Sequence, residues 1–164
     1  MTFPSPLSPA KSQMIGNNPQ DQAFAEAVAE GMYKLDNAAR GLGIEITEIR
    51  PNFARATMTV RDDMVNSHGI CHGGMIFTLA DTAFAYACNT ANKSTVAMSC
   101  SISFIAPGKR SELLTAIAEE RARQGRNGIF DITVTGEDGR TVAIFQGNSR
   151  EIRGESVPGF DARR

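Results

Sequence analysis

Residues 66–89 read NSHGICHGGMIFTLADTAFAYACN, and this stretch decides the fold. The two histidines of the chain, His68 and His72, lie here beside a Gly-Gly pair, and a run of apolar and small residues follows. Between Gly73 and Cys88 the only formal charge is Asp81. A helix that is apolar nearly all round must be wrapped by other elements. We therefore expect this segment to be the central helix of the domain.

Patterns on both sides of this helix predict what wraps it. An apolar stripe at helical spacing predicts an N-terminal helix that begins with Asp21 as N-cap and ends at Gly41 and Gly43. Alternating residues predict a hairpin with Pro51-Asn52 as its turn, followed after the central helix by strands at 94–105, 111–123, 128–136 and 140–151. Sheets built from hairpins are antiparallel. The simplest architecture is α+β, with an antiparallel sheet curled around the central helix.

The ends of the chain and its composition restrict the class of protein. Residues 1–20 carry four prolines and are predicted to be a flexible tail, as are residues 154–164, so the domain covers residues 21–153. With 17 basic and 18 acidic residues, no nucleic-acid partner is expected. Neither a signal peptide nor an apolar membrane span is recognisable. Three cysteines without a CxxC spacing favour the reducing cytoplasm.

Asp81 and the two glycines are the candidate chemical groups. An ionised carboxylate is costly to bury unless it is paired, and ionisable groups in apolar clefts favour functional sites. The alternative is that Asp81 caps a loop or pairs with a distant arginine. Gly73 and Gly74 leave N–H groups uncovered at the positive end of the helix, which suits an oxyanion; the alternative is a plain turn.

The spacing of these groups predicts how a site is assembled. Eight residues separate Gly73 from Asp81, about 12 Å along a helix at 1.5 Å per residue. An attacking carboxylate must lie within about 3.5 Å of the carbonyl carbon whose oxygen the N–H group holds. One helix cannot supply both groups, whereas two antiparallel copies can. A functional site would therefore be shared by two chains related by a two-fold axis.

Asn66, the His72-Gly73-Gly74 triplet and Asp81 together resemble the hotdog-fold acyl-CoA thioesterases. The longer stretch CHGGMIFTLADTAFAYACN is similar to the PaaI-type branch, named for phenylacetic acid degradation, and the resemblance runs from about residue 39 to residue 153. It implies a hotdog fold and hydrolysis of an acyl-CoA, of the aryl-acetyl type, to free acid and CoA. It also implies a homodimer or a dimer of dimers with active sites at the subunit interface.

The resemblance also implies roles for single residues. The Gly73 N–H polarises the thioester carbonyl, Asp81 acts as nucleophile or general base, and Asn66 and His72 position substrate or water. Some branches carry a water-holding hydroxyl where this chain has Ala85, so Thr82 or a strand residue is expected to serve instead. The expected substrate-binding residues are Gly74, Thr82, Phe84, Arg123, Arg126, Asn127 and Gly128, the last four where such enzymes contact the CoA nucleotide.

Other interpretations of the same residues are less favoured. Cys71 and His72 could suggest a thiol nucleophile, but neighbours in sequence point in different directions. His68, His72 and Asp81 could suggest a metal triad, but the glycines around the histidines argue against a helix that would align them. No metal or redox cofactor is expected. A non-catalytic acyl-CoA-sensing module and a hotdog dehydratase or hydratase are the alternative functions. Phe104 and Phe130 are expected in the core.

Overall fold

The computed structural model describes residues 18–160. Its helices are α1 (Pro19–Leu35), α2 (Asn37–Leu42) and α3 (Gly73–Cys88), with a short 3-10 turn at Asp62–Met64. Its strands are β1 (Glu45–Arg50), β2 (Phe53–Thr59), β3 (Thr95–Phe104), β4 (Leu113–Gln124), β5 (Asn127–Thr135) and β6 (Thr141–Glu151). The predicted central helix and all six predicted strands are present, with ends shifted by at most a few residues.

The six strands form one antiparallel sheet in the order β1-β2-β4-β5-β6-β3. Helix α3 packs across this sheet and contacts every strand, most extensively β2 and β4. This arrangement confirms the prediction of an antiparallel sheet curled around one apolar helix. Strand β3 pairs with β6 alone and is an edge of the sheet, as is β1 at the other side.

The N-terminal helix differs from its prediction at both ends. Asn18, not Asp21, is the N-cap, and its side chain accepts a hydrogen bond from the N–H of Gln20. The helix is interrupted at Asp36, whose carboxylate caps α2 by accepting from the N–H of Ala39. Gly43 then ends α2 in the left-handed conformation (φ 68°) that glycine adopts without strain. The predicted single helix is therefore two helices with a turn of about one residue between them.

Residues 154–160 form neither helix nor strand, yet they pack against the domain. Val157 lies so close to α1 that a Cβ on Gly31 would be 2.9 Å from its methyl groups, and Phe160 meets the ring of Phe24 edge-on at 5.6 Å. The N–H of Val157 also donates to Asn92 Oδ1 at 2.8 Å. The sequence had not indicated this packing. The remainder of the two predicted tails, residues 1–17 and 161–164, lies outside the described residues.

The sheet leaves one face of α3 open. Gly74, Thr78, Asp81 and Ala85, spaced four, three and four residues apart, are at least partly accessible, whereas Phe84 is only 1% exposed. Ala80 and Cys88 also lie in the core, although helical spacing places both of them near Asp81. None of the helices within residues 18–160 is long and apolar enough to cross a membrane.

Candidate active site

The start of α3 presents one uncommitted backbone N–H. His72 is the N-cap, and its Nδ1 accepts a hydrogen bond of 2.9 Å from the N–H of Gly74. The preceding N–H, that of Gly73, has no acceptor within residues 18–160. A side chain at position 73 would displace the Phe104 ring slightly, because a Cβ there would lie 3.0 Å from Cζ of Phe104. The structure thus leaves the Gly73 N–H available for an oxyanion and uses that of Gly74 internally.

The hydrogen bond of this cap selects one tautomer of the neutral His72 ring. A ring nitrogen that accepts a hydrogen bond carries no proton, so the neutral ring bears its proton on Nε2. The ring is exposed and is not available to abstract a proton through Nδ1. Nδ1 of His72 is therefore used to cap the start of α3.

Asn66 closes the loop that leads to His72. Its Oδ1 accepts from the N–H of His68 at 2.9 Å and from that of Ile70 at 3.5 Å. Its backbone N–H donates to the Ile70 carbonyl, and an isolated bridge joins Val65 to Cys71. The amide Nδ2 of Asn66 has no acceptor among the described residues and is free to donate to a substrate or water.

Asp81 lies half-buried on the open face of α3. Burial raises the pKa of its carboxyl group because desolvation disfavours the ionised form. Its one hydrogen-bond partner within residues 18–160 is the thiol of Cys100 on β3, with Sγ 4.0 Å from Oδ1. Among residues 18–160 no loop N–H and no arginine bonds to Asp81. The alternative that Asp81 caps a loop or belongs to an ion pair therefore lacks the partner that it requires there. Asp81 has the environment of a reactive carboxylate.

Gly73 and Asp81 lie on one continuous helix. Eight residues of helical rise hold the N–H and the carboxylate about 12 Å apart. Within one chain they cannot act on the same carbonyl group. Strand β3 lies beside the open face of α3, since Cys100 reaches Asp81 and Phe104 lies against Gly73. Exposed apolar side chains lie on β3 and just after it, among them Met98 (60% exposed), Phe104 and Ile105.

Two predicted substrate-binding residues on α3 are not accessible in this chain. Thr82 is 8% exposed, and Phe84 packs edge-on against Phe130 at 5.5 Å. The sheet approaches Phe84 so closely that a Cβ on Gly147 would lie 2.7 Å from its ring. Phe130 is in the core, as expected, but Phe104 is 53% exposed and lies against Gly73. Phe104 was therefore misassigned to the core.

The four predicted nucleotide-contacting residues come together at the hairpin between β4 and β5. Arg123 pairs with Gly128 and Gln124 with Asn127, so Gly125 and Arg126 form the turn. Gly125 has φ 57°, and Gly128 has no room for a side chain because a Cβ would lie 2.8 Å from Ser149 Oγ. Arg123 forms an ion pair with Glu120, whereas Arg126 has no ion-pair partner within residues 18–160.

The structure adds residues that the sequence analysis missed. Arg150 donates to Asn127 Oδ1 at 3.4 Å and extends the basic surface of the hairpin. Thr78, three residues before Asp81, shares its helix face, and helical periodicity could have identified it. Cys100 and Phe104 reach the site from β3. No local signal in the sequence could have placed these two, because strand pairing and packing bring them to the helix.

The remaining candidate groups are structural. Cys71 is 3% exposed, and burial raises the pKa of its thiol to about 11, so it is not a thiolate near neutral pH. Within residues 18–160 no three His, Cys, Asp or Glu side chains are grouped so that they could hold a metal ion.

Comparisons with known proteins identify the family. A family model described as the thioesterase superfamily matches residues 68–143. The acyl-coenzyme A thioesterase PaaI of Escherichia coli (strain K12) is 45% identical over 126 residues, which cover 77% of this chain and 90% of that protein. The chain belongs to the thioesterase superfamily. The suspected relationship to the hotdog thioesterases is confirmed, and this thioesterase is a thioester hydrolase.

Solved structures agree with this assignment. The structure of the E. coli PaaI protein from the phenylacetic acid degradation operon superposes with a TM-score of 0.80 at 43% identity, covering 82% of this thioesterase and 97% of that chain. A hypothetical thioesterase from Streptococcus pneumoniae TIGR4, crystallised with coenzyme A, gives a TM-score of 0.64 at 25% identity over 68% of this chain and 90% of that chain. The predicted hotdog fold is therefore confirmed.

Proposed function

We propose that this thioesterase hydrolyses acyl-CoA thioesters of the aryl-acetyl type, phenylacetyl- or hydroxyphenylacetyl-CoA, to the free acid and CoA in the cytoplasm. The observation that carries the proposal is Asp81, a half-buried carboxylate on the open face of the same helix whose first residue offers a free N–H. The Gly73 N–H receives the developing charge on the thioester oxygen. Asp81 attacks the carbonyl carbon or takes a proton from the attacking water.

We propose that each site is shared by two chains in a homodimer, which can pair further into a dimer of dimers. The 12 Å spacing on one helix requires a second copy to bring its Asp81 to the Gly73 of the first. Edge strand β3 has an unpaired side, which an antiparallel β3 of a second copy would extend. Such a copy would also cover the exposed apolar side chains of Met98 and Ile105.

The residues around the site support a flat acyl group. Phe104 flanks Gly73, and Phe77, half-buried on α3, meets Phe145 edge-on at 5.2 Å. Exposed ring faces offer favourable stacking to an aromatic acyl chain. The E. coli relative is named an acyl-coenzyme A thioesterase and comes from a phenylacetic acid degradation operon, in accord with this preference.

The β4–β5 hairpin is the proposed site for the CoA phosphates. Arg126 and Arg150 supply positive charge without a carboxylate partner in the described residues. The backbone at Gly125 is exposed, with nothing within 4 Å of the position that a Cβ would take, and can approach a phosphate closely. The S. pneumoniae thioesterase crystallised with coenzyme A supports the ligand class. The proposed reaction requires no metal or redox cofactor, since CoA is part of the substrate.

A hydrolysis panel tests the substrate. Phenylacetyl- and hydroxyphenylacetyl-CoA should exceed acetyl-CoA and palmitoyl-CoA in kcat/KM by about 10-fold or more, within the range that apolar pockets achieve. The Asp81→Asn protein is the matched control for spontaneous and contaminating hydrolysis. Faster turnover of acetyl- or palmitoyl-CoA would overturn the aromatic preference. Tight binding of every thioester without turnover would instead favour an acyl-CoA-sensing module.

A further inference from the structure

We propose that the Glu112–Arg140 ion pair, on the far side of the β3–β4 loop from the site, is a positioning device for the Gly73 N–H. The pair fixes loop 105–112, and this loop holds the residues that lead into α3. The inference rests on the proposed function only in naming what the Gly73 N–H does. The geometry of the loop stands independently of it.

The pair is largely buried, with the Arg140 side chain 22% exposed. Glu112 has a side chain 6% exposed, and each of its carboxylate oxygens accepts from one Arg140 Nη group at 2.6 Å. The N–H groups of Lys109 and Glu137 donate to the same oxygens at 2.8 and 3.3 Å. The hydrogen bonds from the Arg140 guanidinium, together with those from the Lys109 and Glu137 N–H groups, hold the pKa of the Glu112 carboxyl below its usual range, although burial acts in the opposite direction. Such a bidentate pair with all acceptors satisfied fixes geometry on both sides.

Arg140 also reaches the loop directly. Its Nη2 donates to the carbonyl of Pro107 at 2.7 Å, while Glu112 holds the N–H of Lys109. The ion pair thereby holds both neighbours of Gly108, Pro107 through Arg140 and Lys109 through Glu112. Asp138 on the β5–β6 turn accepts from Arg140 Nη1 at 2.7 Å and keeps the guanidinium in the plane that serves all these partners.

Gly108 connects the loop to the residues that lead into α3. Its carbonyl accepts from the N–H of Cys71 at 2.9 Å, and a bridge joins Lys109 to Ile70. A Cβ on Gly108 would lie 3.0 Å from Cβ of Cys71, so the two strands of chain are in close contact. Cys71 is two residues before Gly73. Any shift of the loop is therefore transmitted to the oxyanion donor.

The same loop contacts Gly73 from a second direction. It begins directly after Phe104, whose ring covers Gly73, and the N–H groups of Ile105 and Ala106 are bonded to the carbonyl of Val142. The start of the loop thus places the Phe104 ring beside the Gly73 N–H. Gly108 and Lys109, further along the loop, hold the residues that lead into Gly73. A buried ion pair contributes little net stability compared with an apolar pair of the same size. Its position here is better explained by the precision that a catalytic N–H needs.

The test is Glu112→Gln, which retains the shape of the side chain and removes its charge. We expect kcat to fall about 10- to 100-fold, less than the 10²- to 10³-fold that follows from deleting an oxyanion donor. KM should change less than threefold, because the proposed CoA site at the β4–β5 hairpin is untouched. Arg140→Lys, which keeps the charge but loses the bidentate geometry, should give a smaller fall in kcat.

Val28→Ala is the matched control, since it truncates a fully buried core side chain in α1 away from the loop. It should lower the unfolding midpoint without lowering kcat. Amide hydrogen exchange of peptides covering residues 66–76 gives a readout that needs no catalysis. We expect exchange there to be about 10-fold faster in Glu112→Gln than in Val28→Ala. Unchanged exchange and unchanged kcat in both Glu112→Gln and Arg140→Lys would overturn the inference.

The two failures are distinguishable. A wild-type protein without acyl-CoA hydrolysis would overturn the proposed function while leaving the exchange comparison valid. If Glu112→Gln does not fold, Arg140→Lys gives the same comparison of kcat and exchange. Equal losses of kcat in Val28→Ala and the ion-pair variants would assign the pair to general stability and reject the positioning role.

Discussion

At the residue scale, Asp81 is the proposed catalytic group because no positively charged side chain among residues 18–160 neutralises it. Burial raises the pKa of its carboxyl group, and its neighbour, the Cys100 thiol, is itself held protonated because burial and the Asp81 charge raise its pKa. A thiol donor at 4.0 Å stabilises a carboxylate far less than an arginine would. The carboxylate remains basic and reactive, at a cost in folding free energy that an amide side chain would not impose.

Replacing this carboxylate should separate activity from stability. We expect Asp81→Ala and Asp81→Asn each to lower kcat by about 10²- to 10⁴-fold, the contribution of a general base, while neither lowers the unfolding midpoint. In the wild type only the ionised carboxylate of Asp81 is active, so kcat/KM should rise with pH as this group loses its proton. Because burial raises the pKa of Asp81, the rise should lie above pH 3.8, which corresponds to the ordinary pKa of an aspartate. Stopped assays across pH 4–8 measure this rise. Near-wild-type turnover in Asp81→Asn would reject the assignment.

At the element scale, α3 is fixed at both ends and along one side. His72 caps its start, and the buried Asn89 side chain ends it by donating to the carbonyls of Ala85 and Thr95 at 2.9 and 3.0 Å. Along its buried side the sheet comes closest at Gly147, which leaves space only for the Phe84 ring. These contacts fix the distance between α3 and the sheet, and with it the position of Asp81 on the open face of the helix.

Two glycine substitutions test this packing with opposite signs. Gly147→Ala should destabilise the domain by about 1–3 kcal/mol, because the new methyl group would overlap the Phe84 ring in a close-packed core. Gly41→Ala is the control in α2, where nothing lies within 4 Å of the new Cβ. It should stabilise the domain by about 0.5–1 kcal/mol through higher helix propensity.

Urea unfolding at one fixed protein concentration measures both changes, since association would otherwise shift the midpoint. A neutral Gly147→Ala would show that β6 and α3 can separate at little cost. In that case the height of Asp81 above the sheet would be set by a partner chain instead of by this contact.

At the scale of the whole molecule, one chain supplies both groups of the site but holds them too far apart to meet. The proposed dimer resolves this by pairing each Gly73 with the Asp81 of the other copy. The β3 edge and the open face of α3 are adjacent, so one contact would extend the sheet and complete two sites.

Mixed dimers test the shared site. Asp81→Ala lacks the acid, and Gly73→Pro lacks the N–H; proline is acceptable at the first helical position, and the exposed Phe104 ring can move aside. In a mixed dimer one site carries both lesions and the other carries neither. Random reassortment makes half of the dimers mixed, so about a quarter of all sites should be active.

Co-expression followed by activity assays measures the recovery, after each variant alone has been shown to fold and dimerise. Co-purification of the two variants carrying different affinity tags shows that mixed dimers form. With mixed dimers established, recovery near zero would mean that both groups of a site come from one chain. The 12 Å estimate from helical rise would then have to be abandoned.

The sequence by itself determined the elements, because their signals are local. Period-two and helical patterns, the Gly-Gly pair and the Pro51-Asn52 turn act within a few residues, and they sufficed to predict α3, the strands and their antiparallel pairing. Asp81 and the glycines could also be chosen as candidates, since a lone charge in an apolar helix is evident from the sequence.

Tertiary structure decided which groups meet, because that depends on contacts between residues distant in sequence. Tyr86, 50 residues from Asp36, bonds to it where the N-terminal helix is interrupted. Pairing of β3 with β6, and not local pattern, brings Cys100 to Asp81 and directs the partly exposed face of α3 away from the sheet. Phe84 is buried for the same reason, and the Glu112–Arg140 pair joins residues 28 positions apart. Local propensity has no access to such contacts, which form only once the sheet has closed around its helix.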